Sequence, residues 1–283
     1  MKHAWMGALA VLVAGSAAAT PQQFTVTGGS LEAGLHDWRV VDVRTGGVSQ
    51  VSTTRPDPYG GSGSLEQSIP APGSDEWKTE VEIFSPDTSL TPGAGLVPTA
   101  GGYGRLADLR DLLVTWYRDG SSTAWPWLGE AVRIYVYDPD LGTQGSSYVL
   151  IWEPVYNGLP VVPTDQWIVS RVDDGNFWRT PIYLDGQRVP RSFCSDNPTE
   201  CHRYLPFSAW GFGPDTVIFG LNLAVGSGWY GSYLGYVDQV NLEMPDGQTW
   251  IWDFEPGDAP MCSEAAPEPE HEHRRGRRRG RHH

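Results

Sequence analysis

The sequence predicts an all-β protein, an antiparallel β-sandwich with at most one or two short helices. Three observations carry that expectation. Strand-like runs recur along the chain, and Gly, Pro, Asn and Asp separate them at fairly regular intervals. The composition is rich in loops and aromatics, with 34 Gly, 23 Pro and 13 Trp in 283 residues. Helical periodicity is scarce, which favours packed sheets over alternating strands and helices.

The runs begin with QFTVTG (23–28), DWRVVDVR (37–44) and SLEQSI (64–69). TEVEIF (79–84) follows, with Glu80 and Glu82 on one face that reads as solvated. RLADLRDLL (105–113) is the best helical candidate, because Leu106, Leu109, Leu112 and Leu113 could form a short apolar stripe. LLVTWYR (112–118), AVRIYVYD (131–138), YVLIWEPV (148–155) and QWIVSRV (166–172) read as strands. TVIFGLNLAVG (216–226), YLGYVDQVNL (233–242) and TWIWDFE (249–255) complete the set. Trp116, Trp152 and Trp252 are assigned to the core. In GYVDQVNLEM (235–244) alternation puts Tyr236, Asp238, Val240 and Leu242 on the inward face. A buried Asp238 needs a cation, a metal ion or several N–H donors.

The ends of the chain read differently. Residues 1–19 have a Lys2/His3 start, an apolar run too short to span a bilayer and an Ala-rich end, so they read as a secretory signal peptide. Residues 20–256 form one domain, with no internal repeat and no linker. Residues 257–283 form a disordered tail, first Pro/Glu-rich and then Arg/His-rich. The expected location is secreted, extracellular or cell-surface, with the periplasm as the alternative. No transmembrane segment is expected in the mature chain.

A formal charge of −14, with six arginines held in the tail, argues against nucleic acid as a partner and suits Ca²⁺. Cys194 and Cys201 share a loop of turn formers where export favours a local disulfide over two free thiols. Cys262 is left over, as a free thiol or an intermolecular link.

Aromatic display is the stronger functional signal. Trp125 and Trp127 flank Pro126 in a loop, and Trp229 and Tyr230 sit in a Gly/Ser loop. Rings of this kind stack on the C–H faces of sugars while nearby polar groups, here Arg118 and Asp119, would meet the hydroxyls. Trp125, Trp127, Trp229, Tyr230, Arg118 and Asp119 are therefore the expected ligand-binding residues. No catalytic residue is assigned. Glu80 with Glu82, and Glu130 with Glu153, are carboxylates that a glycosidase could use, but no spacing singles out a pair. There is no nucleophile elbow and no phosphate cradle.

Both ends of the domain resemble the galactose-binding-like jelly-roll carbohydrate-binding modules. The matching residues are Leu31-Glu32-x-Gly34, Asp37-Trp38, Gly63-Ser64-Leu65 and Tyr236-x-Asp238-Gln239-Val240-x-Leu242. The resemblance implies a jelly-roll sandwich with a structural Ca²⁺ held by Glu32 and Asp238 where the first and last strands meet. The middle of the chain (112–140, 148–158, 162–179 and 222–242) resembles a family of exported bacterial domains with no assigned activity, which implies a self-standing fold.

The expected function is a secreted, non-catalytic surface or extracellular-matrix protein that binds a polysaccharide or glycan through loop aromatics. The alternatives are an envelope component attached to a cell-envelope polymer by its basic tail, and a polysaccharide hydrolase or lyase.

Overall fold

The structure, a computed structural model, describes residues 20–28, 31, 34–44, 46–57, 61–70, 77–91, 95–245 and 247–257. The expectations placed on residues 1–19, on Glu32, on Cys262 and on the tail from 258 lie outside the described residues. Among the described residues no helix is long and apolar enough to cross a membrane.

The chain is an all-β sandwich of jelly-roll type. One sheet contains β1 (Gln22–Val26), β3 (Val48–Ser52), β4 (Ser64–Ile69), β9 (Asp111–Arg118), β12 (Trp167–Arg171), β16 (Tyr233–Glu243) and β17 (Thr249–Phe254). The other is ordered β14 (Gln187–Arg188), β13 (Phe177–Leu184), β11 (Ser146–Trp152), β10 (Ala131–Asp138), β15 (Val217–Gly226), β5 (Lys78–Phe84) and β2 (Arg39–Val41), with β8 (Gly104–Arg105) added to β15. β6 (Thr88–Thr91) and β7 (Gly95–Pro98) form a separate hairpin.

Alternation supplies the core. Val81 and Ile83, Val132 and Ile134, and Leu221 and Leu223 face Leu112, Val114 and Trp116 from the opposite sheet. Fully burying an aliphatic side chain of this size stabilises by about 1.5–3 kcal/mol. Trp116, Trp152 and Trp252 are buried, as expected.

β16 organises the first sheet. β9 occupies one of its edges from Gly235 to Glu243. The other edge is shared, with β4 pairing to Tyr233–Val237 and β17 to Gln239–Glu243. Asp238 falls in the gap between them. It is also the extra residue of a β-bulge, because the β9 register shifts between Val237 and Gln239. The bulge breaks the expected alternation, so Val237, Val240 and Leu242 enter the core while Tyr236 packs on Tyr117 instead.

The helical candidate at 105–113 does not become a regular helix. Leu106–Asp108 make a single 3-10 turn, and from Asp111 the chain becomes β9, because the open edge of β16 offers a full ladder of hydrogen bonds. Two four-residue helices, α1 (Phe193–Asp196) and α2 (Pro198–Cys201), occur instead around the Cys194–Cys201 disulfide, whose Cα atoms are 5.6 Å apart. The domain's two ends lie side by side: β1 runs parallel to β17, and Glu255 N–H donates to the Val26 carbonyl at 2.9 Å.

Candidate functional site

Two loops at the start of β16 build an aromatic surface. The loop after β9 carries Trp125 and Trp127, and the loop after β15 carries Tyr230. These rings are 44%, 37% and 54% exposed, yet they touch one another. Ring centroids are 5.1 Å apart for Trp125–Trp127 and 5.3 Å for Trp125–Tyr230. The rings are tilted by 32° and 43°, so they form a curved rather than a flat platform.

The backbone beneath is fixed. Ala124 N–H donates to the Ser232 carbonyl at 2.8 Å, Ser232 N–H to Thr123 Oγ1 at 2.9 Å, and Leu234 N–H to Ser122 Oγ at 3.0 Å. Gly231 adopts φ +91° directly against the Thr123 backbone, where a Cβ would not fit, so glycine lets the loops close.

Two of the expected ligand-binding residues are internal. Arg118 is buried and donates from Nη1 to the carbonyls of Trp125 (3.0 Å) and Leu128 (2.6 Å), and from Nη2 to that of Ala124 (2.7 Å). It therefore holds the loop and offers nothing to a sugar. Trp229 is 7% exposed and packs edge-on against Tyr233, with Ile69, Ala124 and Val225, in a small satellite core. It anchors the loop that displays its neighbour Tyr230. Asp119 pairs with Arg55 at 3.1 Å and accepts the Ser121 N–H. Burial pushes its carboxyl up, but the bonds from Ser121 and Arg55 outweigh that and hold its pKa below the usual aspartate value.

The gap in the β16 ladder holds an acidic junction. Carboxylate oxygens of Asp238, Asp253 and Glu255 lie within 4.8 Å of one another. Asp57 is buried beside Asp238 and hydrogen-bonds to it. Glu255 accepts both the N–H and the hydroxyl of Ser62, at 2.8 and 2.6 Å. No lysine or arginine among the described residues pairs with Asp238, Asp253 or Glu255.

Asp238 is 3% exposed, and its Oδ1 has no hydrogen-bond partner. Burial, then Asp57, Asp253 and Glu255, drives its pKa well above the aspartate range. Burial, then Glu255 and Asp57, pushes Asp253 up to about 6. A Cβ at Gly61 would collide with Glu255 Oε1, so glycine there lets the chain pass close to this carboxylate, with Asp238 Oδ1 in ordinary contact beside it. An all-oxygen set with an orphaned buried carboxylate oxygen fits a hard divalent cation.

The sequence reading found Asp238 but missed Asp57, Asp253 and Glu255. A signal for Asp253 existed, since a hairpin after β16 sets it opposite Gln239, beside Asp238.

The four carboxylates considered for catalysis are committed elsewhere or sequestered. Glu80 and Glu82 are buried rather than solvated: Glu80 pairs with Arg133 and Lys78, and Glu82 with Arg39 (2.7 Å) and the Tyr135 hydroxyl (2.9 Å). Glu130 is fully enclosed, and burial raises its pKa strongly against the smaller pull of Arg133. Glu153 accepts the Trp178 indole N–H at 2.8 Å.

No family model matches the chain, and no curated protein matches it. Among solved structures, it is similar to a family 11 carbohydrate-binding module from Clostridium thermocellum in complex with a β-1,3-1,4-mixed-linked tetrasaccharide. That likeness has 13% identity and a TM-score of 0.36, over 80% of this chain and 94% of the module. It is also similar to an exo-β-agarase, with 9% identity and a TM-score of 0.33, over 73% of this chain and 23% of the agarase. Both likenesses are distant, and neither supplies a functional residue.

Proposed function

We propose that this is an exported, non-catalytic surface or matrix protein that binds polysaccharide through Trp125, Trp127 and Tyr230. The observation that carries the reading is the platform itself: Trp125 in contact with both Trp127 and Tyr230, all three exposed, on two loops bonded to each other, one of them held by a buried arginine. Large apolar rings are normally withdrawn from water, so a fixed cluster left outside marks a contact surface. Sugar C–H faces are the partner that stacked indole and phenol rings suit.

A glycan array probed with the full chain tests this. Saturable binding should fall a few-fold to about ten-fold in Trp125→Ala and in Tyr230→Ala, with melting temperature unchanged, since a stacked ring contributes on the order of 0.5–1.5 kcal/mol. A blank array, or binding indifferent to both substitutions, overturns the reading.

We propose further that Asp57, Asp238, Asp253 and Glu255 hold a structural Ca²⁺. The ion would offset the repulsion among four clustered carboxylates and tie β16, β17 and the segment before β4 together. Calcium should raise the melting temperature, and a chelator should lower it. Identical melting curves in the two conditions, with no calcium found by elemental analysis, would remove the ion from the account.

A further inference from the structure

A second group of aromatic rings meets solvent towards the other end of β16. β1 is an edge strand, and its parallel register sets Gln22 beside Trp250 and Phe24 beside Trp252. The same face becomes core at Val26 and Phe254, but near Phe24 it opens into a cleft of about 170 Å³. Trp252 forms the floor. Phe24, 41% exposed, lies nearly parallel to it at 6.3 Å and 21°, while Trp38 and Tyr103 stand edge-on at 6.0 and 5.7 Å.

The polar groups of the cleft are few and placed at its margin. Gln22, His36 and Asp37 line it and are exposed. Trp38 Nε1 is buried with no hydrogen-bond partner. Among the described residues no lysine or arginine lines the space.

We infer that this cleft is a second saccharide site, holding one neutral sugar residue, and that the protein is bivalent towards polysaccharide. The inference rests on the glycan reading of the loop platform and extends it. Ring faces take the C–H face of a pyranose, while the Gln22 amide and the Asp37 carboxylate at the margin serve hydroxyls, which both donate and accept. The volume admits a single ring. A carboxylate at the mouth, with no lysine or arginine among the described lining residues, disfavours uronic and sulfated sugars. Two sites at separate ends of one strand let one molecule engage two chains, or one chain twice, with the gain in avidity that linkage brings.

The test uses the full chain with free glucose, galactose and N-acetylglucosamine, followed by tryptophan fluorescence and saturation-transfer NMR. Choline serves as a cationic control. Saturable hexose binding should persist in the Trp125→Ala/Tyr230→Ala double variant. It should weaken about ten-fold in Phe24→Ala and in Asp37→Ala, with melting temperatures unchanged because both side chains are exposed. Wild-type protein should raise the viscosity of a neutral polysaccharide solution, and disabling either site should abolish that rise.

Hexose binding unaffected by Phe24→Ala and Asp37→Ala, or a response to choline alone, overturns the second site. If polysaccharide binding then survives and depends on Trp125 and Tyr230, the platform stands and bivalency falls. If neither free sugars nor polysaccharides bind, the glycan reading itself falls.

Discussion

Arg118 commits its guanidinium to three backbone carbonyls, those of Ala124, Trp125 and Leu128. These carbonyls belong to the loop that carries two platform rings, so the arginine acts on ligand through the loop's shape. Its removal leaves acceptors without donors, each costing about 1–3 kcal/mol where burial persists. Arg118→Met should therefore destabilise the protein by about 3 kcal/mol or more and weaken glycan binding. Trp125→Ala should weaken binding alone. Urea denaturation of the two variants separates the cases; a fully stable Arg118→Met protein would show that the carbonyls find other donors. In the sequence, Arg118 looked like a polar neighbour of the tryptophans. Its position was legible, but its direction was not, because the carbonyls it meets exist only once the loop has turned back. Trp229 and Tyr230 pose the same problem: a loop has no periodicity to say which of two adjacent rings faces inward.

Strands were the most legible elements, since alternation and turn residues act locally, and the runs at 64–69, 131–138 and 249–255 match β4, β10 and β17 closely. Elements failed to read where a distant partner decides the outcome. The leucine pattern at 105–113 suits a helix in isolation, but pairing with β16 draws its second half into β9. Glu80 and Glu82 alternate as a solvated face should. Yet Arg133 on β10 and Arg39 on β2 arrive as ion partners from strands 53 and 43 residues away, and the face is buried. The bulge at Asp238 is of the same kind: it answers the change of partner from β4 to β17, which no local pattern encodes. One extra residue turns Val237 and Val240, rather than Asp238, into the core.

On the scale of the whole molecule, that bulge is where distant parts of the chain converge. Asp238 comes from β16, Asp253 and Glu255 from β17 and its exit, and Asp57 and Ser62 from the approach to β4. β1 closes alongside through the Glu255–Val26 bond. Repulsion among these carboxylates therefore opposes closure of the sheet as a whole. Burial, then Asp57, raises the folded pKa of Asp238 far above its unfolded value of about 3.9. The folded state thus binds the proton more tightly than the unfolded state. Metal-free stability is fully present below about pH 4 and is lost as pH rises towards the raised folded value, by at most ~1.4 kcal/mol per pH unit. Asparagine cannot ionise. In chelator, Asp238→Asn should match wild type near pH 4 and exceed it by a few kcal/mol near pH 8, with the rise of Asp253 to about 6 supplying the slope that remains. Calcium should reverse the order, because wild type gains a ligand oxygen with full charge and the variant does not. Denaturation against pH, with calcium and with chelator, reads all four states. Equal stabilisation of both proteins by calcium would place the ion elsewhere, and a variant weaker at every pH would show that Asp238 is held by hydrogen bonds rather than by a cation.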